Sequence, residues 1–118
     1  MVDCADLERA ARFWAGALGY VIEESAGGRY LSLMPADGFG VEVLLQRTSD
    51  PKHGKNRVHL DLRTRDLDAE VARIAKLSAT VLTTSPVTEH GWTWHILADP
   101  DGNEFCVLRP PPEYWSDC

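Results

Sequence analysis

Apolar residues recur at helical spacing in two stretches of the chain, and polar residues mark both predicted helix starts. In the first stretch Asp6 is the predicted N-cap, Glu8 lies in the first turn and Gly19 stands at the usual C-terminal position. In the second stretch Asp66 is the predicted N-cap and Ser78 takes the place of Gly19. Two amphipathic helices are therefore predicted, with core-forming stripes of Ala10, Phe13, Trp14, Ala17 and Leu18, and of Leu67, Val71, Ile74 and Leu77.

Short β-rich runs follow each helix in the same order, which predicts an internal repeat. "YVIEE" and "TVLTT" come first, and "GGRYLSLMPADGFGVEVLLQ" and "GWTWHILADPDGNEFCVL" then read as strand, turn and strand. The strand "NRVHLDLR" (56–63) precedes the second helix, and the shorter "MVDC" precedes the first. Corresponding residues of the two repeats differ by 60 in number, so Asp6 corresponds to Asp66 and Gln46 to Cys106.

The repeat predicts an α+β fold of two β-α-β-β-β modules, with a cup-shaped mixed sheet and helices on its outer face. The modules span about 1–47 and 56–109 of a single domain, 1–118. The tail 110–118 contains three consecutive prolines, which prevent a helix or central strand there. Tyr114 and Trp115 are expected to pack back onto the domain or onto a partner subunit.

Period-2 alternation along three strands separates an apolar set from a polar set. The apolar set, expected to pack on the helices, is Val41, Val43, Leu45, Val58, Leu60, Leu62, Phe105 and Val107. The opposite face receives Glu42, Leu44, Gln46, His59, Asp61, Arg63, Glu104, Cys106 and Leu108. Superimposing Gly28 on Gly91 places Trp94 in the core and adds His95 to the polar face. The other register would make Trp92 and Trp94 the stacking walls of a pocket.

The segment "DPDGN" (99–103) predicts a tight turn between two strands. We expect Gly102 to take a positive φ and the aspartate side chains to accept hydrogen bonds from backbone amides. The turn is therefore interpreted as structural.

Charge and composition narrow the classes of partner. The net charge of −6 argues against nucleic acid or an anionic membrane surface. No apolar run approaches the roughly 18–20 residues that span a bilayer, and "MVDCADLERA" does not resemble a signal peptide. Cys4, Cys106 and Cys118 are odd in number and far apart, which favours a reducing cytoplasm.

The loop between the modules is locally basic in an acidic protein. It carries Arg47, Lys52, His53, Lys55 and Arg57. It is either a solvated connector or a patch that steers an anionic ligand.

Three stretches together resemble the vicinal oxygen chelate (VOC) superfamily, in particular its glyoxalase-like, dioxygenase and bleomycin-resistance-like members. They are "ADLERAARFWAGALGY" (5–20), "NRVHLDLRTRDLDAEVARI" (56–74) and "EHGWTWHILADPDGNEFCVL" (89–108). The resemblance implies paired β-α-β-β-β modules that close into a cup. It also implies an activity among isomerases, dioxygenases, ring- and epoxide-opening enzymes, or proteins that only sequester a drug.

The resemblance also implies metal positions, which this sequence matches incompletely. Carried over, they fall on Gln46, His59 and Cys106, and the fourth falls before Met1. A thiol replaces the carboxylate that hard or borderline divalent ions prefer. We therefore expect no cofactor, and a divalent metal ion is the alternative.

The sequence thus favours a homodimeric protein that binds a small aromatic or amphipathic molecule without a metal, as in sequestration or resistance. The alternative is a lyase, isomerase or dioxygenase that uses a divalent metal or His59 as a catalytic acid or base. A third reading is an accessory module that only dimerises. The predicted ligand-binding residues are Gln46, His59, Asp61, Arg63, Trp92, His95, Glu104 and Cys106.

Overall fold

A computed structural model describes residues 1–24, 28–54, 56 and 58–117 and divides the chain into two compact units, Met1–His53 and Gly54–Cys118. Gly27, Lys55, Arg57 and Cys118, which enter the sequence-based predictions, lie outside the described residues. The first unit contains β1 (Val2–Cys4), α1 (Leu7–Leu18), β2 (Tyr20–Glu24), β3 (Tyr30–Pro35) and β4 (Val43–Arg47). The second contains β5 (Asp61–Arg63), α2 (Leu67–Ala75), β6 (Thr80–Val81), β7 (Val87–Glu89), β8 (Trp92–Ala98), β9 (Glu104–Arg109) and a 3-10 helix (Pro112–Asp117).

Each unit holds one mixed sheet, and the α+β class is confirmed. In the first unit the strand order is β1-β4-β3-β2, with β1 parallel to β4 and the other neighbours antiparallel. In the second it is β5-β9-β8-β6, with β5 parallel to β9, and the short β7 also pairs with β8. The first unit follows the predicted β-α-β-β-β order, whereas β7 is an addition to the second. That both modules form a single domain, 1–118, stays a prediction.

Helix α1 begins and ends as the sequence predicts. The Asp6 side chain accepts a hydrogen bond from the Arg9 amide at 3.1 Å, and Gly19 closes the helix at φ 70°. The helix packs against β2, β3 and β4, and Phe13 and Trp14 are each only 2% exposed. Their rings meet edge to face with centroids 5.1 Å apart. The prediction that both are core residues is confirmed.

Helix α2 uses the same cap but ends differently. Asp66 accepts from the Ala69 amide at 3.1 Å, and Leu67 and Ile74 are buried. The helix ends at Ala75, so the predicted stripe residue Leu77 lies beyond it. Ser78 takes φ 87°, the left-handed conformation that Gly19 adopts after α1. None of the described helices is long and apolar enough to cross a membrane.

Three apolar residues predicted to face the helices are exposed instead. Val58 is 86% exposed and Leu60 is 44% exposed, because the strand predicted over 56–63 is regular only at Asp61–Arg63. Strand β5 lies at the edge of its sheet, whereas α2 packs against β6, β8 and β9. Val41 is 76% exposed because it precedes β4. The prediction was correct for Leu45, Phe105 and Val107, which are fully or almost fully buried.

The predicted face assignment of β8 was wrong. His95 pairs with Val107, Ile96 pairs with Cys106 and Trp94 pairs with Leu108. Directly opposed residues point to the same face of a sheet. His95 therefore shares the face of Val107, and Trp94 shares the face of Cys106, as in the alternative register. The error came from aligning Gly28 with Gly91, because the two hairpins differ in strand length and pairing register.

Pairing also corrects the correspondence between Gln46 and Cys106. Residues of the two modules that differ by 60 in number correspond at the helix caps, Asp6 and Asp66. By the same difference, Asp3 corresponds to Arg63. Asp3 pairs with Gln46, but Arg63 pairs with Leu108 and Asp61 pairs with Cys106. The residue of the second unit that corresponds to Gln46 by strand pairing is therefore Leu108. The pairing of β5 with β9 differs by two residues from the pairing of β1 with β4.

Asp99 organises the turn between β8 and β9, which confirms for this residue the predicted hydrogen bonds from backbone amides. Asp99 is 3% exposed, and its Oδ1 accepts hydrogen bonds from the Asp101 and Asn103 amides at 2.9 and 2.8 Å. Its Oδ2 accepts from Asn103 Nδ2 at 3.0 Å. Gly102 takes φ 85°. The structural interpretation of "DPDGN" is confirmed.

Candidate functional site

A cluster of three ionisable side chains forms where β5 meets β9 in the second unit. Asp61 lies directly opposite Cys106, and His59 precedes Asp61 by two residues. His59 Nδ1 lies 3.0 Å from Asp61 Oδ1, an ion-pair distance if the imidazole is protonated. One ligating atom from each of His59, Asp61 and Cys106 lies within 4.8 Å of the others. Three of the predicted ligand-binding residues are therefore brought together.

A cavity of about 350 Å³ adjoins this cluster within the second unit. It is lined by Gly54, His59, Leu82, Thr83, Ile96, Glu104, Phe105 and Cys106. Its volume falls in the range of small-molecule sites, and its mixture of apolar walls with a few polar groups is typical of them. Glu104, another predicted ligand-binding residue, therefore joins the same site.

Thr83 connects this cavity to His95. Its Oγ1 lies 2.7 Å from His95 Nδ1 and accepts a hydrogen bond from the Ile96 amide at 3.3 Å. His95 itself is not part of the described cavity lining. The structure thus places His95 behind the cavity wall, where it holds Thr83, and any ligand-binding role for it stays a prediction.

Arg63 and Trp92 meet each other at the other end of β5, next to the C-terminal 3-10 helix. Arg63 Cζ lies 5.9 Å from the Trp92 ring centroid and 5.4 Å from that of Tyr114. Arg65 Cζ lies 4.4 Å from the centroid of Trp115. These distances suit cation–π contacts. The tail therefore packs back onto its own unit, one of the two placements that the sequence allowed.

Gln46 belongs to the first unit. It lies on β4 opposite Tyr30, and its Nε2 donates a hydrogen bond to the Tyr30 hydroxyl at 3.4 Å. A depression of about 570 Å³ in the same unit is lined by Ala5, Arg29, Arg47, Thr48, Ser49 and Asp50. It is larger than the cavity beside Cys106, but its described lining includes none of the predicted ligand-binding residues.

Sequence reasoning missed five of the residues that line the cavity: Gly54, Leu82, Thr83, Ile96 and Phe105. Leu82 and Thr83 lie in the run "TVLTT", which was recognised only as β-rich. Ile96 was assigned to the core by the wrong face of β8. The alternative register would have identified Ile96, since it puts Trp92, Trp94 and Ile96 on one face.

Of the hard or borderline divalent ions that the VOC resemblance implies, the cluster does not match the hard ones, whereas a borderline ion such as Zn²⁺ accepts His, Asp and Cys ligands. The spacing of the cluster would let three donors approach one ion, but Mg²⁺ and Mn²⁺ prefer oxygen ligands to thiol sulfur. Asp61, the one carboxylate of the cluster, already contacts His59 Nδ1 at 3.0 Å. Binding a hard ion would disrupt this contact while leaving a sulfur ligand in the place of a carboxylate.

Comparisons with known proteins agree on one family. A family model described as a glyoxalase-like domain matches residues 1–108. A search of curated protein sequences finds no match.

Solved structures show the same fold at low sequence identity. A glyoxalase/bleomycin resistance protein/dioxygenase family enzyme from Burkholderia phytofirmans is 16% identical, with a TM-score of 0.74, over 92% of this chain and 93% of that one. A glyoxalase/bleomycin resistance protein from Albidiferax ferrireducens is 23% identical, with a TM-score of 0.67, over 94% and 95%. The fosfomycin resistance protein FosX from Mesorhizobium loti is 16% identical, with a TM-score of 0.70, over 98% and 92%. These structures share the fold of the chain, and the domain match over residues 1–108 shows that the chain belongs to the glyoxalase-like domain family.

Proposed function

We propose that this protein binds a small organic molecule in the cavity beside His59 and Cys106, without a catalytic metal, in a sequestration or resistance role. The cavity itself is the observation that carries the proposal. Leu82 and Ile96 supply apolar surface, whereas His59, Thr83, Glu104 and Cys106 supply polar groups. Such a lining suits a molecule with an apolar body and one polar end.

Burial shields the polar groups of the cavity from water. Cys106 is 8% exposed and Glu104 is half-buried, so both are partly removed from water. A ligand carbonyl or hydroxyl bound beside them would compete with less water than at the surface, which strengthens its hydrogen bonds.

The names of similar structures support the resistance role, and the chemistry of the cluster supports binding without a hard metal ion. All three similar structures described above carry the words "resistance protein" in their names, two for bleomycin and one for fosfomycin. The thiol at Cys106 and the contact of Asp61 with His59 disfavour the hard ions. We further propose a reducing cytoplasm as the setting, supported by the odd number of widely spaced cysteines.

Titration with cyclohexanone, followed by two-dimensional NMR of the 15N-labelled protein, tests the proposal. Cyclohexanone is small and apolar with one polar end, and it forms no stable bond to a thiol. We expect saturable shifts at Leu82, Ile96 and Cys106. Ile96→Phe should fill the cavity and weaken binding at least about tenfold.

The matched control is Val81→Phe. Val81 is 37% exposed and pairs with Leu97, so it lies on the other face of the sheet. This variant should bind cyclohexanone as the wild type does. Shifts that never saturate, or equal affinity in both variants, would remove the cavity as the binding site.

A further inference from the structure

We propose that Cys106 is a nucleophile that adds to α,β-unsaturated carbonyl compounds in this cavity, with His59 as its acid–base partner and Asp61 as a positioning residue. The inference rests on the proposed function, because the same cavity must first bind the compound. In this chemistry the Cys106 thiol reacts directly, and no carboxylate is needed at that position.

The order of the three groups suits nucleophile activation. A nucleophile needs a base within reach, and the base is held by a third group. Here Asp61 Oδ1 lies 3.0 Å from His59 Nδ1, which leaves the other ring nitrogen to exchange a proton. Cys106 Sγ lies within 4.8 Å of the other two groups. That limit exceeds a hydrogen bond, and catalytic contacts are commonly loose until a substrate is bound.

Local charge restricts where the thiol proton can go. Asp61 and Glu104 are the carboxylates beside Cys106, and both oppose an isolated thiolate. The thiol proton therefore has to pass to a neighbouring group as the sulfur attacks, and His59 is the group that can take it. Asp61, in contact with His59 Nδ1 at 3.0 Å, orients the ring for that transfer.

The cavity indicates the class of electrophile. Thiolates are soft nucleophiles, and conjugated carbonyl compounds are soft, compact and largely apolar electrophiles. Cys106 is only 8% exposed yet lines the cavity, so a compound bound there reaches the sulfur more readily than a bulky reagent in solution. Leu82 and Ile96 would contact the carbon skeleton.

The step balances with groups already present. His59 takes the proton from Cys106 Sγ, and the thiolate forms a bond to the β-carbon of the unsaturated carbonyl. The electron pair of the C=C π bond moves to give the enolate. His59 then returns the same proton to the α-carbon, so the product is a saturated thioether with no leaving group and no change of oxidation state in a co-reactant.

The test uses 2-cyclohexen-1-one, which matches cyclohexanone in size but carries the conjugated double bond. Intact-protein mass spectrometry follows adduct formation with time, and peptide mapping separates Cys106 from Cys4 and Cys118. We expect one adduct, on Cys106, at a rate that saturates with reagent concentration and exceeds that of glutathione. Cys106→Ser should abolish it, and His59→Gln should slow it about 10²-fold.

Two matched comparisons separate chemistry from folding. Cys4→Ser, at a 2% exposed thiol in the first unit, should leave the rate unchanged. Asp61→Asn should slow the addition, whereas Asp61→Glu should restore much of it, with equal melting temperatures for the two variants. A merely structural role for Asp61 would not produce this rescue.

The outcomes distinguish this inference from the proposed function. If cyclohexanone binds but 2-cyclohexen-1-one reacts no faster than with glutathione, the nucleophile is overturned and the binding site stands. If His59→Gln and Asp61→Asn both react like the wild type, the triad is overturned. If neither compound binds saturably, the proposed function fails, and this inference fails with it.

Discussion

Asp61 lies directly opposite Cys106 in the parallel pairing of β5 with β9, so a carboxylate and a thiol share one face of the sheet. The resemblance to VOC enzymes leads one to expect a carboxylate at the position of Cys106 itself. Here the nearest carboxylate of the cluster comes from the neighbouring strand, and it contacts His59. The relationship favours thiol chemistry at this position over the binding of a hard metal ion.

We predict that the protein purified without added metal contains far less than one transition-metal ion per chain. The thiol disfavours hard ions, and a borderline ion such as Zn²⁺, which accepts Cys, His and Asp ligands, would have to break the Asp61–His59 contact at 3.0 Å. Elemental analysis of the purified protein measures this directly. About one equivalent of Zn, Fe, Ni or Mn per chain, lost in His59→Ala, would show that the cluster is a metal site after all.

We predict a homodimer. In the first unit β2 is an edge strand of its sheet, and Val21 and Ile22 are each 45% exposed. Edge strands with exposed apolar residues tend to find partners. Light scattering at micromolar concentration should give the mass of two chains, and Ile22→Lys should shift it toward one. Val58→Lys, at a residue that is 86% exposed outside the strands, is the control. A single-chain mass for the wild type contradicts the prediction.

Replacing Ser78 by glycine should stabilise the protein. Ser78 holds φ 87°, a conformation that costs an L-residue about 1 kcal/mol and costs glycine little. We expect Ser78→Gly to raise the free energy of unfolding by up to about 1 kcal/mol, measured by urea denaturation. The reciprocal variant, Gly19→Ser, should lower it by a similar amount. A Cβ at Gly19 meets no atom within 4 Å, so the change reports the backbone alone. Equal stabilities for Ser78→Gly and wild type would argue against strain at this position.

Removing the Asp99 carboxylate should destabilise the second unit strongly. The carboxylate, on a side chain that is 3% exposed, accepts hydrogen bonds from the Asp101 and Asn103 amides and from Asn103 Nδ2. Asp99→Ala should lower the free energy of unfolding by about 2–4 kcal/mol, again measured in urea. Asp37→Ala is the matched control, because exposed Asp37 accepts a single bond from the Phe39 amide at 2.9 Å. It should cost less than about 1 kcal/mol, and similar losses in both variants would mean that burial of the turn contributes little.

Local features of the sequence were sufficient to predict the parts of the fold that depend on neighbours in the chain. Asp6 and Asp66 cap their helices because their side chains reach amides three residues on. Asp99 and Gly102 form the turn by contacts that span four residues or fewer. Phe13 and Trp14 are core residues because helical periodicity puts them on one stripe.

The face of β8 and the cavity wall depended on tertiary structure. A shift of one residue in register moves every side chain of a strand to the other face. Both alternating sets of side chains in "WTWHIL" contain apolar residues, so the sequence alone does not show which set faces the cavity. The pairing of Ile96 with Cys106 places Ile96, and not His95, in the described lining of the cavity.

The sequence by itself thus determined the two modules, their helix caps, the turn at Asp99 and the candidate residues His59, Asp61 and Cys106. Only the tertiary structure decided that Asp61 stands opposite Cys106, that Thr83 joins the cavity and that Arg63 packs on Trp92 and Tyr114. These contacts join residues from separate strands and from the tail. Their formation depends on strand register and packing, which no short stretch of sequence encodes.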